Sequence, residues 1–244
     1  MHILGLRKGV SWMSAAESPA AGGTPARADA GVEPVHHDGD LADLVERARA
    51  LVGVGRRRLL GITGAPGSGK GTLAGKLQEE IGDSAVLVPM DGFHLAEAQL
   101  HRLGKKDRKG APDTFDAAGY LALLRRLRDL SDEVVYAPEF HREVEESFAG
   151  AIAVPPEVPL VITEGNYLLL DSGPWSQVRD LLDEVWFLAP DEDSRLDRLI
   201  ARHVRYGKSP EQAREWVRRS DEPNAALVSA TRARADVLVH GDPA

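Results

Sequence analysis

The sequence contains no cysteine, and aromatic residues make up only 5% of its 244 residues. The absence of thiols excludes disulfide bonds, a cysteine nucleophile, an iron–sulfur cluster and any zinc site built on cysteine. No stretch approaches the roughly 18 apolar residues that a membrane-spanning helix needs, and no apolar run follows Arg7 and Lys8 to form a signal peptide. We therefore expect a cytoplasmic protein with no membrane partner.

The chain has fewer basic than acidic residues, 30 Lys and Arg against 38 Asp and Glu, so its formal net charge is −8. Sequence-independent binding to nucleic acid requires a basic surface, so we expect no nucleic-acid partner. Hydrophobic residues make up 43% of the chain, which is enough to bury a core.

Large apolar side chains are almost absent between Ser14 and Gly39, where Ala, Gly, Pro, Ser and Asp dominate. Such a segment cannot bury enough surface to offset the entropy of ordering it. We predict a flexible leader at residues 1–39 and one folded domain at residues 40–244.

Strand and helix patterns alternate beyond Asp40. Short apolar runs predict strands at residues 58–63, 85–89, 159–163, 184–189 and 236–239, and helical periodicity predicts helices at residues 41–52, 69–81, 117–130, 174–182, 193–206 and 210–219. The strands lack polar alternation, as is typical of a parallel sheet covered on both faces. The pattern predicts a three-layer α/β fold, a mainly parallel sheet with helices on both faces, and a basic surface loop at residues 103–114.

The strongest motif follows the first predicted strand and opens a helix. It consists of Gly64, Ala65, Pro66, Gly67, Ser68, Gly69, Lys70, Gly71 and Thr72. Its glycines let successive backbone N–H groups point into one concavity, and its lysine reaches the terminal phosphates of a nucleotide. The Ser or Thr that usually follows the lysine and binds Mg²⁺ is replaced by Gly71, and the hydroxyl comes one residue later at Thr72. We expect these residues to bind the phosphates of a nucleotide.

Two acidic residues close predicted strands, Asp91 after residues 85–89 and Glu164 after residues 159–163. Ligands bind at the carboxyl ends of strands in open α/β sheets, so both carboxylates are expected to face the phosphate loop. A phosphoryl transferase needs one carboxylate to accept the proton of the attacking hydroxyl and others to hold the metal. Asp91 and Glu164 are the candidates, although a Gly follows each and either could simply form a turn.

Cations outnumber acids from Arg195 to Arg219, although the whole chain is acidic. Arg195, Arg198 and Arg202 recur at three- and four-residue steps, so they share a helix face on which they repel one another unless an anion lies opposite. This spacing predicts an Arg-rich helical lid over a triphosphate, and the alternative is a solvated helix.

The histidines lack metal-ligand spacing, and only His94 is predicted to neighbour the site. The segment from Tyr136 to Arg142 either lines a pocket for an acceptor molecule or is an ordinary strand and turn. The candidate substrate-binding residues are His94, Tyr136, Arg142, Glu164 and Asn166.

Four further motifs carry a family resemblance that runs from about Arg58 to the C-terminus. They are Met90–His94, Lys109–Asp116, Glu164–Leu168 and Thr231–Asp236. Together with the phosphate loop, they resemble the P-loop kinase group that contains uridine kinase, phosphoribulokinase and bacterial pantothenate kinase. The resemblance is greatest to its nucleoside or nucleotide kinase-like branch, also named after fructose-transport-associated kinases.

The resemblance implies a role for each site residue. Asp91 would be the base toward the acceptor hydroxyl, Lys70 and Thr72 would serve ATP and Mg²⁺, and Glu164 would support metal or substrate. The lid would consist of Arg195, Arg198 and Arg202, and the residues near the adenine would be Arg232 and Arg234. The resemblance also implies a homodimer.

Three functions remain open at this point. The first is an ATP-dependent kinase that phosphorylates a hydroxyl of a small metabolite. The second is a nucleoside monophosphate kinase, which would grip an acceptor phosphate with basic residues such as Arg102, Lys105, Lys106 or Arg108. The third is a regulator or metallochaperone that hydrolyses a nucleotide as a switch.

Overall fold

The computed structural model of the protein describes residues 33–53, 55–129 and 133–241. Its strands are β1 (Val35–His37), β2 (Arg58–Gly64), β3 (Ala85–Leu87), β4 (Val135–His141), β5 (Glu146–Val154), β6 (Leu160–Glu164), β7 (Glu184–Ala189) and β8 (Val237–His240). Its α-helices are α1 (Leu41–Leu51), α2 (Lys70–Ile81), α3 (Glu97–Arg102), α4 (Ala117–Arg128), α5 (Glu192–Arg205), α6 (Pro210–Trp216) and α7 (Glu222–Ser229).

Six strands form a parallel sheet in the order β1-β8-β7-β2-β6-β3. Strand β2 lies between β6 and β7, and Ile62 is in register with Glu164 on one side and Trp186 on the other. The carboxyl end of β2 therefore lies at the same sheet edge as the ends of its two neighbours.

Two hydrophobic clusters cover the two faces of this sheet. Residues of β2 alternate between them, because Leu60 and Ile62 pack with α1 and α2, whereas Leu59 packs with α4 and its neighbours. All three β2 side chains are fully buried. This arrangement confirms the predicted three-layer fold.

The predicted strands and most of the predicted helices are confirmed, but the helix expected at residues 174–182 is wrong. Two short 3₁₀ turns, Gly173–Gln177 and Arg179–Leu181, occupy that segment. The chain turns so that Trp175 is buried and its indole N–H donates to the Pro112 carbonyl at 3.2 Å. Packing of one large aromatic side chain outweighs the helical periodicity there.

An antiparallel hairpin of β4 and β5 forms a second, two-stranded sheet. A strand and turn was one of the two interpretations of the segment from Tyr136 to Arg142, but β5 was not predicted. The outer face of the hairpin is exposed and β5 is rich in small residues, so the apolar alternation that identifies strands is weak. No helix in the described part of the chain is long and apolar enough to cross a bilayer.

The predicted end of the flexible leader needs correction. Residues 35–37, which the composition places in the leader, form β1 and pair with Val237–Val239 of β8. Pairing with a partner distant in sequence orders this short segment. The leader residues 1–32 lie outside the described residues.

Candidate active site

A cleft of about 570 Å³ opens at the carboxyl edge of the parallel sheet. Six segments line it: the loop between β2 and α2, the turn after β3 with the start of α3, the loop between α3 and α4, the tip of the β4–β5 hairpin, the end of β6, and the helical segment from α5 to α7. Because the parallel strands β2, β6 and β3 are neighbours, their ends bring the phosphate loop, Glu164 and Asp91 into this one cleft.

The backbone conformation of the phosphate loop requires glycine at three positions. Gly64, Gly67 and Gly69 have φ of 149°, 84° and 90°, which other residues rarely adopt. A Cβ on Gly67 would also lie 2.8 Å from the carbonyl oxygen of Arg195. Only glycine therefore lets α5 pack directly on the loop. Helix α2 begins at Lys70, so its unpaired N–H groups face the cleft.

Lys70 is buried beneath the loop. Its Nζ donates to the carbonyl oxygens of Gly64 and Ala65, each at 3.0 Å. Burial lowers the pKa of this lysine to about 8. The ammonium group is thus fixed where a bound phosphate would meet it.

Asp91 lies in a 3₁₀ turn, Met90–Phe93, that follows β3. Its Oδ2 accepts a hydrogen bond from Arg142 Nη2 at 2.8 Å, and its Oδ1 lies 3.8 Å from His94 Nε2. Burial alone would raise the pKa of Asp91, but His94, Arg142 and Lys70 outweigh it and hold that pKa below its ordinary value. The carboxylate is therefore ionised and able to accept a proton at neutral pH.

Glu164, at the end of β6, is the second carboxylate of the cleft. Burial and the nearby charge of Asp91 raise the pKa of Glu164 to about 7. A Cβ at Gly71 would lie 4.0 Å from Glu164 Oε1, so the carboxylate borders the position where most such loops carry a hydroxyl. Thr72 also lines the cleft.

His94 packs between two aromatic rings. Its centroid lies 4.0 Å from that of Phe115 and 4.7 Å from that of Phe140. Burial lowers the pKa of His94 to about 4, so the imidazole is neutral at pH 7. The structure thus brings His94 to the cleft, as predicted.

The three predicted lid arginines lie in different surroundings. Arg195 is 2% exposed and donates to the Pro66 carbonyl at 2.8 Å and to the carboxylates of Glu192 and Glu222. Its side chain therefore ties α5 to the phosphate loop and does not line the cleft. Arg198 lines the cleft and donates to the Gly67 carbonyl at 3.2 Å, and Arg202 lines the cleft as well.

The structure does not bring three other predicted residues to the cleft. Tyr136 is 57% exposed on the outer face of the hairpin. Arg232 and Arg234 immediately precede β8, so they lie at the amino edge of the parallel sheet, opposite the phosphate loop. Arg234 instead donates to the Leu169 carbonyl. The predicted position of the two arginines near the adenine did not take the direction of β8 into account. Residues that precede this strand and residues that follow it lie at opposite edges of the sheet.

Arg142 and Asn166 lie in the cleft as predicted, but several lining residues were missed. These are Lys109 in the basic loop, His203 on α5, Trp216, Asp221 and Asn224. Trp216 lies inside the helix predicted at residues 210–219, and Asp221 and Asn224 lie beyond its predicted end, where polar residues ordinarily face solvent. The available sequence signals were the motif Lys109–Asp116 for Lys109 and the three-residue spacing of Asp221 and Asn224, which places both on one face of a helix.

A glycine-rich phosphate loop after the central strand of a parallel sheet, with a buried lysine and strand-end carboxylates, defines a P-loop kinase. More narrowly, the chain belongs to the phosphoribulokinase/uridine kinase family, whose model matches residues 59–243.

Individual relatives agree with this family. The chain is 33% identical over 208 residues to "Putative uridine kinase C227.14" of Schizosaccharomyces pombe, covering 81% of this chain and 88% of the relative. It is 27% identical over 184 residues to a uridine kinase of Halobacterium salinarum, covering 74% and 78%. The crystal structure of a "putative fructose transport system kinase" from Silicibacter sp. TM1040 is 35% identical, with a TM-score of 0.74 and coverage of 81% and 98%.

Proposed function

We propose that this kinase moves the γ-phosphate of ATP, with Mg²⁺, to a hydroxyl of a small metabolite such as a nucleoside, a pantothenate-like molecule or a sugar-like molecule. The observation that carries the proposal is the placement of Lys70 and an ionised Asp91 in one cleft. A phosphate-binding cation and a proton acceptor are the two groups that phosphoryl transfer to a hydroxyl requires.

Each group has a distinct task in this proposal. Asp91 accepts the proton of the attacking hydroxyl, and Lys70 binds the phosphates. Arg202 shares the cleft with both carboxylates, where its charge offsets the negative charge of the transferred phosphoryl group.

The oxygen donors of the cleft fit Mg²⁺, which binds through one or two carboxylates together with substrate phosphates. Glu164 and Thr72 would hold it, and the bound ion would neutralise charge on the β- and γ-phosphates. Among the described residues, no group of three or more His, Asp or Glu side chains is arranged to hold a metal ion. The phosphates of the nucleotide would therefore supply the remaining ligands.

The names of the relatives refer to a nucleoside and to a sugar-transport system. The Schizosaccharomyces and Halobacterium proteins carry the name uridine kinase, and the Silicibacter protein is named for fructose transport. The nucleoside monophosphate kinase alternative is less well supported, because Lys105 and Arg108 both pair with Asp113 and Lys106 pairs with Glu97. An acceptor phosphate would have to displace these carboxylates from the three cations.

The test is ADP release with Mg-ATP across nucleosides, nucleoside monophosphates, pantothenate, ribulose 5-phosphate and simple sugars. We expect one hydroxyl-bearing compound to stimulate turnover. Lys70→Ala should abolish that turnover, and Asp91→Asn should lower kcat about 10²- to 10⁴-fold with little change in KM for ATP, because only proton transfer is impaired.

Matched controls separate chemistry from folding. Lys76→Ala on the same helix and Asp83→Asn in the turn after it should leave turnover unchanged, since neither residue lines the cleft. Full activity of Asp91→Asn on the acceptor would show that Asp91 is not the base. Tight ATP binding without acceptor-dependent turnover would favour the regulatory alternative.

A further inference from the structure

The tip of the β4–β5 hairpin contains a strained residue that none of the proposed catalytic steps uses. Among the described residues, Glu145 is the one residue other than glycine with a left-handed backbone, at a φ of 55°. Turns usually carry Gly, Asn or Asp at such positions, because a longer side chain is strained there. Strained residues persist mainly at functional sites, where the surrounding contacts hold them. A glutamate at this position therefore indicates a role for its side chain.

Both polar ends of Glu145 bind one lysine. Lys109 Nζ donates to the Glu145 carbonyl oxygen at 2.6 Å, and it lies 3.2 Å from Glu145 Oε2. The Glu145 side chain is half-exposed, whereas that of Lys109 is only 14% exposed. The hairpin tip thus fixes an ammonium group that the loop of residues 103–114 contributes to the cleft wall.

The next residue of the tip binds the same part of the chain at its other end. Glu146 Oε1 accepts a hydrogen bond at 2.9 Å from the backbone N–H of Glu97, the first residue of α3. In an extended strand, consecutive side chains point to opposite faces. The left-handed residue interrupts that alternation, so Glu145 and Glu146 both reach the segment that runs from α3 to Lys109. The tip therefore holds this segment at its start and at its end.

The held segment places Lys109 beside the proposed base. Lys109 Nζ lies 5.1 Å from the centroid of the Phe140 ring, which in turn packs on His94. Burial lowers the pKa of His94, and the charge of Lys109 adds to that effect, so the ammonium group is close to the imidazole. His94 Nε2 lies 3.8 Å from Asp91 Oδ1. Lys109 therefore belongs to the side of the cleft on which the acceptor hydroxyl must lie.

We propose that Glu145 is a positioning residue: it holds Lys109 in place, so that the loop of residues 103–114 completes the cleft wall around the acceptor. The left-handed backbone at Glu145 is the strain that this placement imposes. The inference rests on the proposed kinase function and adds to it a residue that acts through Lys109.

Kinetics of Glu145→Gln with the acceptor that stimulates ADP release test this role. The substitution keeps the shape of the side chain but removes the charge that attracts Lys109. We expect the KM for the acceptor to rise about 3- to 10-fold, and kcat and the KM for ATP to stay within about twofold, because the base and the phosphate loop are unchanged. Glu143→Gln is the matched control in the same turn and should leave all three constants unchanged, since Glu143 is exposed and does not line the cleft.

Lys109→Met shows whether Glu145 acts through Lys109. This substitution alone should raise the acceptor KM at least as much as Glu145→Gln, because it removes the group that Glu145 holds. Adding Glu145→Gln to Lys109→Met should cause no further increase, since the effects of interacting residues are not additive. An effect of Glu145→Gln that is equally large with and without Lys109 would overturn the inference.

Glu145→Ala and Glu145→Gly separate strain from positioning. Both variants lack the carboxylate and should raise the acceptor KM to a similar extent. Only glycine relieves the left-handed backbone, so Glu145→Gly should unfold about 2–4 °C above Glu145→Ala. Equal unfolding temperatures, or a glycine variant that binds the acceptor as well as wild type, would overturn the inference.

If no compound stimulates turnover, the kinase proposal fails by itself, and amide hydrogen exchange of the nucleotide-free protein decides the inference. The loop of residues 103–114 should exchange about two- to fivefold faster in Glu145→Gln than in wild type, and at the wild-type rate in Glu143→Gln. Unchanged exchange in Glu145→Gln would overturn the inference, because Lys109 would then be held without the glutamate.

Discussion

At the scale of single residues, the cleft places each ionisable group in a protonation state suited to its position. Asp91 is kept ionised by neighbouring cations, whereas His94 is kept neutral by burial. The His94 imidazole is only 3.8 Å from the Asp91 carboxylate, yet burial between aromatic rings has the larger effect. Motif spacing can place two residues together, but burial and the neighbouring charges decide which of them is ionised.

The neutral state of His94 predicts a loss of stability in acid. Its pKa is about 4 in the folded protein and 6.5 for the unperturbed side chain, so between these values the unfolded state binds more protons. Stability therefore falls as pH falls through that window. The contribution of His94 at pH 5 amounts to about 2 kcal/mol relative to pH 7.5.

Urea unfolding at pH 7.5 and pH 5 measures this effect. Wild type loses stability from many groups on acidification, so the informative quantity is its difference from His94→Gln, which does not titrate. We expect the variant to lose about 2 kcal/mol less than wild type. The same loss in both proteins would show that His94 is already protonated in the folded state.

At the scale of elements, carboxylates of α5 and α7 reduce the charge repulsion among the arginines of α5. The spacing of its arginines indicates that anions must lie opposite, and for Arg195 those anions are Glu192 and Glu222 of this chain. Only part of the helix face is left for a bound triphosphate. Periodicity identified the face, but it could not show which arginine would be buried against the phosphate loop.

The β4–β5 hairpin packs closely on the turn that carries Asp91, and Gly92 is the point where their main chains meet. A Cβ on Gly92 would lie 2.3 Å from the Pro138 carbonyl oxygen, which belongs to main chain that cannot move aside easily. Gly92→Ala should separate the hairpin from the turn and disturb the Arg142–Asp91 hydrogen bond. We expect a loss of about 1–3 kcal/mol in stability and a lower kcat/KM for the acceptor.

Gly75→Ala is the matched control for this prediction. Gly75 lies inside α2 with no atom within 4 Å of an added Cβ, so the substitution should raise stability by about 0.5–1 kcal/mol without affecting turnover. Thermal unfolding and acceptor kinetics of the two variants provide the comparison. A Gly92→Ala protein as stable and active as wild type would mean that the hairpin does not depend on this contact.

At the scale of the whole molecule, strand order assembles the cleft. Asp91, the phosphate loop and Glu164 are far apart in sequence, and they meet because β3, β6 and β2 are neighbours in one parallel sheet. At one side of the sheet β3 is the outermost strand, and at the other side the outermost strand is β1, which pairs with β8. The main sheet therefore contains residues from both ends of the described chain.

This pairing predicts unequal effects of two truncations. A protein that begins at Glu33 keeps every strand and helix that the structure describes, so we expect it to unfold at the wild-type temperature. A protein that begins at Asp38 loses β1 and uncovers the edge of β8, which should cost about 1–3 kcal/mol. Both keep Asp40, whose side chain caps α1.

Thermal unfolding of the two truncated proteins checks this prediction, with nucleotide binding as a control for an intact cleft. Equal midpoints would mean that β1 contributes nothing to stability. A loss that already appears in the protein beginning at Glu33 would mean that the leader boundary lies earlier in the chain.

The sequence by itself determined the phosphate loop, the alternation of strands and helices, and the two strand-end carboxylates. These features depend on residues close together in the chain: glycines that permit a curled loop, a helix that starts at Lys70, and apolar runs that suit a covered parallel sheet. Local chemistry is sufficient for each of them, and together they identify the fold and the family resemblance.

Only the tertiary structure decided the remaining features. Pairing with β8 orders β1, burial against the phosphate loop withdraws Arg195 from the cleft, and the direction of β8 places Arg232 at the far edge of the sheet. Likewise, a π-helical segment, Val217–Asp221, separates α6 from α7 where Asp221 and Asn224 line the cleft. Each of these outcomes depends on contacts between residues distant in sequence, where packing outweighs the local pattern.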